Sequence, residues 1–218
     1  MRVMIAGGHG QIAMHLAAQL ADAGDQPVGL IRNPDHATDI AALGGSSVVV
    51  DLEQVTSEGL AEIIAGADAV VFAAGAGPGS GAERKLTVDL GGAVLLVEAA
   101  QRASVDRYVM VSAINADAYD PSSEDVFQVY LRAKSEADLA LRESDLDWTI
   151  VRPGGLTNGD ATGRVRIADK VPRGNIPRID VASVLRECLR EPGSIGAQFE
   201  LVSGDTPIPD AITGLRVI

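Results

Sequence analysis

The chain holds one cysteine, Cys188, in 218 residues, so no disulfide can form within it. Leu185 and Leu189 flank that thiol at helical spacing, which reads as a buried side chain rather than a nucleophile. A reducing compartment fits. Basic residues are also scarce: 18 Lys and Arg against 30 Asp and Glu leave a net charge of −12. That balance argues against a nucleic-acid backbone or an anionic membrane surface as the main partner. A locally positive pocket is still compatible with it, because charges a few ångströms away act at short range. No apolar run reaches 18 residues and no charged-then-apolar leader precedes the first strand, so a cytoplasmic protein that spans no membrane is expected. The three histidines, His9, His15 and His36, stand at no spacing familiar from metal sites, and no metal is expected.

What is present is ordinary globular composition, 46% hydrophobic and 22% charged, read as a single domain over residues 1–218. Strand-like stretches at 2–6, 27–31, 47–50, 68–73, 107–112, 147–151 and 198–202 alternate with helical ones at 10–23, 34–42, 56–65, 82–103, 123–143 and 180–190. Val48-Val49-Val50 and Ala69-Val70-Val71-Phe72 read as strands buried on both faces. The pattern predicts an α/β, doubly wound Rossmann fold with a mostly parallel sheet and a small C-terminal substrate-binding region. Segments 113–122 and 154–179 break the periodicity with Gly, Pro, Asn and Asp, and are the expected walls of a small-molecule pocket.

The first strand, Val3-Met4-Ile5-Ala6, runs into Gly7-Gly8-His9-Gly10-Gln11-Ile12-Ala13 and then a helical stretch. Strand, glycine turn and helix in that order bring backbone N–H groups and a helix N-terminus close to a pyrophosphate, so the turn from Gly7 through His9, Gly10, Gln11 and Ile12 is read as a dinucleotide seat. His9 is positioned to reach a cofactor phosphate, although an exposed turn residue is the commoner outcome. Nineteen residues beyond Ala13 the second strand ends in Arg32, where an acid would select the ribose of NAD. An arginine there favours a 2′-phosphate, hence NADP (NADPH).

Tyr130 and Lys134 lie one helical turn apart. Three tyrosines and three lysines would meet at that spacing about 0.04 times by chance in a chain of this length. Val126, Ala133, Ala137 and Leu141 share the inward stripe with Tyr130, with Lys134 at its edge. An ammonium beside the phenol is expected to depress its pKa, so that Tyr130 exchanges a proton with a carbonyl oxygen. Ser112, just past the fifth strand, is expected to hold that oxygen. Other readings are blander: Trp148 as packing, Tyr119 as pocket wall or cover, and Arg164 and Arg166 as a half-exposed strand.

Taken together, the GxxGxxA turn, Ser112, Tyr130-x-x-x-Lys134, Val151-Arg152-Pro153-Gly154-Gly155 and Ile179-Asp180-Val181-Ala182 resemble an atypical short-chain dehydrogenase/reductase of the small NmrA-like, epimerase/dehydratase branch. The resemblance covers nearly the whole chain. It implies NADP in the glycine turn, Asp51 and Leu52 beside adenine, Ala73, Ala74 and Gly75 beneath the cofactor, and Pro153 and Gly154 near the nicotinamide. Lys134 would also bind the nicotinamide ribose. Two departures stand out: Ala13 replaces the third glycine, and Asp89 stands where the catalytic tetrad usually has asparagine, a carboxylate that would neutralise Lys134 if close. The implied activity is hydride transfer to or from a small carbonyl or alcohol, by a monomer or homodimer. A flavin or quinone reductase and a non-catalytic NADP-binding redox sensor of NmrA type are the competing readings.

Overall fold

The computed structural model describes residues 1–77 and 79–215. Nine strands make one sheet: β1 (Arg2–Ala6), β2 (Gln26–Ile31), β3 (Ser46–Val49), β4 (Ala69–Phe72), β5 (Arg107–Val111), β6 (Asp147–Pro153), β8 (Arg164–Ala168), β10 (Ala197–Ser203) and β11 (Thr206–Pro207). They lie in the order β11-β8-β10-β6-β5-β4-β1-β2-β3. The seven strands from β3 to β10 are parallel, and β8 and β11 close the far edge antiparallel. Two short strands, β7 (Gly155–Thr157) and β9 (Asn175–Pro177), pair separately.

Helices α1 (Gln11–Asp22), α7 (Arg178–Arg190) and α8 (Ile208–Thr213) cover one face, with Val3, Ile5, Leu16, Val109, Leu185 and Phe199 in their core. Helices α3 (Ser57–Ile64), α5 (Gly92–Ala103) and α6 (Val126–Arg142) cover the other, around Met4, Phe72, Leu96, Tyr108 and Ile150. Alternate residues of each central strand feed the two cores, which is why those strands read as unbroken apolar runs. Cys188 is fully buried on the inner face of α7, and burial pushes its thiol up to about 12.

Three expectations are corrected. Val48 to Val50 are not covered on both faces: β3 is the sheet edge, paired only with β2, and Val49 is 54% exposed. The helix expected over 82–103 is three segments, α4 (Ala82–Arg84), a π-helical stretch Lys85–Gly91 and α5, since apolar periodicity does not register a widened turn. Segment 154–179, expected to be irregular, contains β7, β8 and β9; Pro and Gly hid strands only three to five residues long. The alternation of Arg164 and Arg166 with Val165 is β8, with Val165 wholly buried.

The switch in strand order falls between β1 and β4, and the glycine turn after β1 lies there at very close range. Gly7 has φ +75°, and a Cβ on it would stand 2.6 Å from the Ala74 Cα. A Cβ on Gly8 would stand 2.5 Å from the Gly29 Cα, backbone that cannot turn aside. On Gly29, by contrast, a Cβ meets the Ile40 Cδ1 at 2.7 Å, the tip of a side chain that can rotate. Gly8→Ala is therefore expected to lower stability by about 1–3 kcal/mol and Gly29→Ala by less, read as urea unfolding midpoints. Equal costs would show that the β1–β2 approach is not the constraint.

Candidate functional site

Two clefts open at the carboxyl ends of the strands and share the Ala73–Ala76 backbone. The first, about 360 Å³, is lined by Gly7, His9 and Gly10 on one side, by Arg32, Asn33 and His36 at one end, and by Asp51 and Leu52. The second, about 640 Å³, is lined by Ile12, Lys85, Asp89, Ser112, Tyr130 and Lys134. A third space of about 580 Å³, carrying Pro153, Gly154 and Arg173, meets the second at Ser112, Phe127, Tyr130 and Leu156.

The first cleft has the chemistry of a dinucleotide groove. Helix α1 starts at Gly10 with no side-chain cap and no acid in its first turn, so its positive end is uncompensated by the chain itself. The absence of a Cβ on Gly7 leaves the turn pressed against Ala74, where the two clefts meet. At the far end Arg32 lies 3.4 Å and Arg84 2.9 Å from the same Glu53 oxygen, while Thr87 donates to the other at 2.6 Å. Two guanidinium groups thus converge on one carboxylate at that end, with Asp51 also in the lining. His9 does not hang free: its Nε2 is 2.7 Å from Asp39, and its ring stacks on His36 at 3.6 Å. Gln11 faces a separate hollow beside His15 and Asp160.

The second cleft holds a buried ion pair. Lys134, 4% exposed, lies 3.3 Å from Asp89, itself 1% exposed, and donates to the Val111 carbonyl at 3.2 Å. Asp89 sits on the π-helical stretch and also accepts from the Ala76 N–H at 3.0 Å, tying it to the shared floor. The Lys134 ammonium stands 6.0 Å from the Tyr130 ring centroid. The expected depression of the Tyr130 pKa is not found. Burial of the phenol raises it, Lys134 opposes that, and Asp89 and Asp138 reinforce the rise. Of the stripe expected to point inward with Tyr130, Ala133, Ala137 and Leu141 are buried, but Val126 is 42% exposed and lines the cleft instead.

Ser112 is buried at the end of β5, and its hydroxyl donates to Asp138 at 2.7 Å. The proton that an oxyanion contact requires is thus committed inward. Asp138 also takes Arg152 Nε at 2.8 Å, and Arg152 reaches across to Asp117 with two further bonds at 2.6 and 2.9 Å. Burial pushes the Asp138 carboxyl up, against the pull of Arg152. Beside Arg152 in the register of β6 and β10 is Glu200, 1% exposed, which accepts from the N–H of Asn115 and Val171 and from Lys170. These two buried charges fasten the expected pocket walls, 113–122 and 154–179, to the sheet. Trp148 packs against the core, and Tyr119 lies outside the described lining of the clefts.

Sequence reasoning missed Glu53, Arg84, Phe127, Leu156, Arg173 and Glu200. Only the last carried a signal, an acid inside the apolar strand Phe199-Glu200-Leu201-Val202.

Hydrogen bonds from Arg152 hold the Asp117 carboxyl down at about 2, against an ordinary 3.8, so its contribution to stability is complete above pH 3.8 and disappears as pH falls through 2. Asp117→Asn is accordingly expected to lower the urea midpoint at pH 7, with the gap to wild type closing as pH falls from 3.8 to about 2. A gap that persists at pH 2 would mean that charge is not what Asp117 contributes.

Comparison with known proteins agrees with this geometry. The NAD(P)H-binding family model matches residues 7–192. An uncharacterized sugar epimerase, YhfK of Bacillus subtilis, is 37% identical over 99% of this chain and 100% of its own length. Among solved structures, the oxidoreductase ylbE of Lactococcus lactis superposes with a TM-score of 0.87 at 31% identity, over 99% of this chain and 96% of that one. A Bacillus halodurans protein described as a candidate NAD-dependent epimerase/dehydratase gives a TM-score of 0.88 at 37% identity, over 97% and 98%. The chain belongs to the NAD(P)H-binding family of atypical short-chain dehydrogenases/reductases.

Proposed function

We propose that the protein is an NADP-dependent oxidoreductase that reduces a carbonyl, or oxidises the corresponding alcohol, with Tyr130 as the proton-transferring residue. The observation that carries this reading is the shared Ala73–Ala76 floor, which makes the cleft of Tyr130 and Lys134 continuous with the dinucleotide groove. NADPH, when bound, would supply the hydride. Gly7, Gly10 and the open start of α1 would hold its pyrophosphate, Asp51 and Leu52 would flank its adenine, and Pro153 and Gly154 would border its nicotinamide.

In the direction of reduction a phenol must give up a proton, and burial keeps Tyr130 protonated well past neutral pH. Lys134 has three donors, of which Val111 and Asp89 take two; the third is available for a ribose hydroxyl. Its charge is balanced by Asp89, so Lys134 acts as a cofactor ligand more than as an activator of the phenol. Since Ser112 donates to Asp138, Tyr130 is left as the donor to the substrate oxygen. The same fact favours one second reading, reduction of a conjugated quinone or flavin, whose ring system spreads the incoming negative charge and needs no paired donors.

Arg32, helped by Arg84, is the proposed ligand of the 2′-phosphate. Arg32→Asp is expected to weaken NADP about ten- to a hundredfold while improving NAD, measured as dissociation constants by cofactor fluorescence. An unchanged preference would exclude Arg32 from that role. Activity is tested by NADPH oxidation at 340 nm across small aldehydes, ketones, quinones and free flavin. Carbonyl reduction that falls about a hundredfold or more in Tyr130→Phe supports the acid role. Quinone or flavin turnover that survives the substitution moves the reaction to the second reading. Tight NADPH binding without turnover of any acceptor would favour a redox sensor.

A further inference from the structure

Beyond Tyr130 the cleft continues into the space bounded by Pro153, Gly154 and Arg173, and that extension is built differently from the rest of the surface. Of the seven large apolar side chains exposed among the described residues, Phe127 and Leu156 line both the Tyr130 cleft and this extension, and Val126 lines the cleft, so the two together form an apolar trough. Phe127 is 58% exposed, with its ring centroid 6.1 Å from that of Tyr130, so the two form an aromatic wall. Apolar groups gathered beside a cofactor groove, rather than scattered, mark a surface that binds something.

The extension also contains two glycines against which neighbouring atoms pack closely. The Gly174 carbonyl occupies the space a Cβ on Gly154 would fill, and the Asn175 side-chain oxygen does the same at Gly155. Gly155 N–H donates to that Gly174 carbonyl at 2.9 Å, and β7 and β9 pair from the next residue on. Two residues before Arg173, the Val171 N–H is held by buried Glu200 at 3.1 Å. Arg173 therefore sits on a short segment pinned at both ends. It is exposed, lines the outer end of the trough, and has no hydrogen bond or ion pair with the described residues. No Asp or Glu stands among the described residues of that outer space, in a chain with 30 of them.

We propose that this trough seats a substrate with a flat apolar body and an oxyanion, carboxylate or phosphate, with Arg173 as the residue that holds the anion. The inference rests on taking the Tyr130 cleft as the substrate side of the cofactor groove. It replaces the expected small carbonyl by a larger, anionic one. A net charge of −12 repels anions in general, so a substrate of this kind needs a local cation, and a guanidinium offers two parallel donors to either group.

The test is fluorescence titration of the full chain, saturated with NADP, with three non-reacting probes of one body: 2-naphthoate, 2-naphthamide and 2-naphthyl phosphate. At least one of the anions is expected to bind about tenfold or more tightly than the amide. The tighter of naphthoate and naphthyl phosphate identifies the oxyanion. Arg173→Ala should erase the difference while leaving the amide and NADP affinities unchanged, and Arg173→Lys should keep part of it. Equal binding of all three probes, or a preference for anions that survives Arg173→Ala, would overturn the proposal. Because binding is read without turnover, an Arg173-dependent preference in a protein that oxidises no NADPH would leave this inference standing and remove the oxidoreductase reading.

Discussion

The approach of the glycine turn to its two flanking strands is the constraint on which both clefts depend. Gly7 lies against the backbone that follows β4 and Gly8 against Gly29 of β2, at separations that leave no room for a side chain. That approach lets α1 begin at the strand-order switch with its N–H groups open, and it brings Ala73 to Ala76 into position as a common floor. Widen it by one methyl group, and the helix start, the floor and Asp89, bonded to Ala76, would have to move together. The turn thus works as a backbone joint, with side chains supplying specificity only around its rim.

Buried charge is the second organising element, and it is distributed with economy. Each of the ionised groups Lys134, Arg152 and Glu200 loses most of its hydration, a cost of several kcal/mol per ion that only close partners can offset. In each case the partners come from a different stretch of chain: Asp89 for Lys134, Asp117 and Asp138 for Arg152, and Lys170 with two loop N–H groups for Glu200. Burial alone would raise the Glu200 carboxyl, yet those three donors hold it below its usual range, which marks it as well satisfied. Asp138 is not: one of its oxygens has no partner, and burial keeps its carboxyl raised. The effect of these anchors is to hold irregular loops, which have little apolar surface of their own, firmly over the sheet ends.

Much of this architecture was legible beforehand because its signals are local. Strand, glycine turn and helix follow one another within twenty residues, and Tyr130 and Lys134 are neighbours on one helix, so pattern and geometry coincide. The edge position of β3 was hidden, since three consecutive valines look alike whether one face or both are covered. Asp89 was recognisable as an oddity, but its distance to Lys134 depends on a π-helical turn that no 3.6-residue period reveals. Glu53, Arg84 and Arg173 were invisible for another reason. Each gains its place through a fold-level meeting of segments, and an isolated charged residue has the same appearance in the sequence whether it faces solvent or a cleft.

The Asp89–Lys134 pair bears directly on which way chemistry is favoured. A lysine with no counter-ion would stabilise the phenolate and suit Tyr130 to accepting a proton, the requirement for oxidising an alcohol. Here the ammonium is matched by a carboxylate 3.3 Å away, both partners are nearly sealed from water, and the cost of burying the phenol outweighs the pull of Lys134. That cost falls on the charged form alone. If Tyr130 carries the proton, as proposed, an aspartate beside Lys134 favours its protonated form. An open, apolar trough beside such a group suits an acceptor that takes its proton late or draws it from water. The carbonyl and quinone readings then differ less in where the substrate lies than in whether its oxygen meets Tyr130 before or after the hydride arrives.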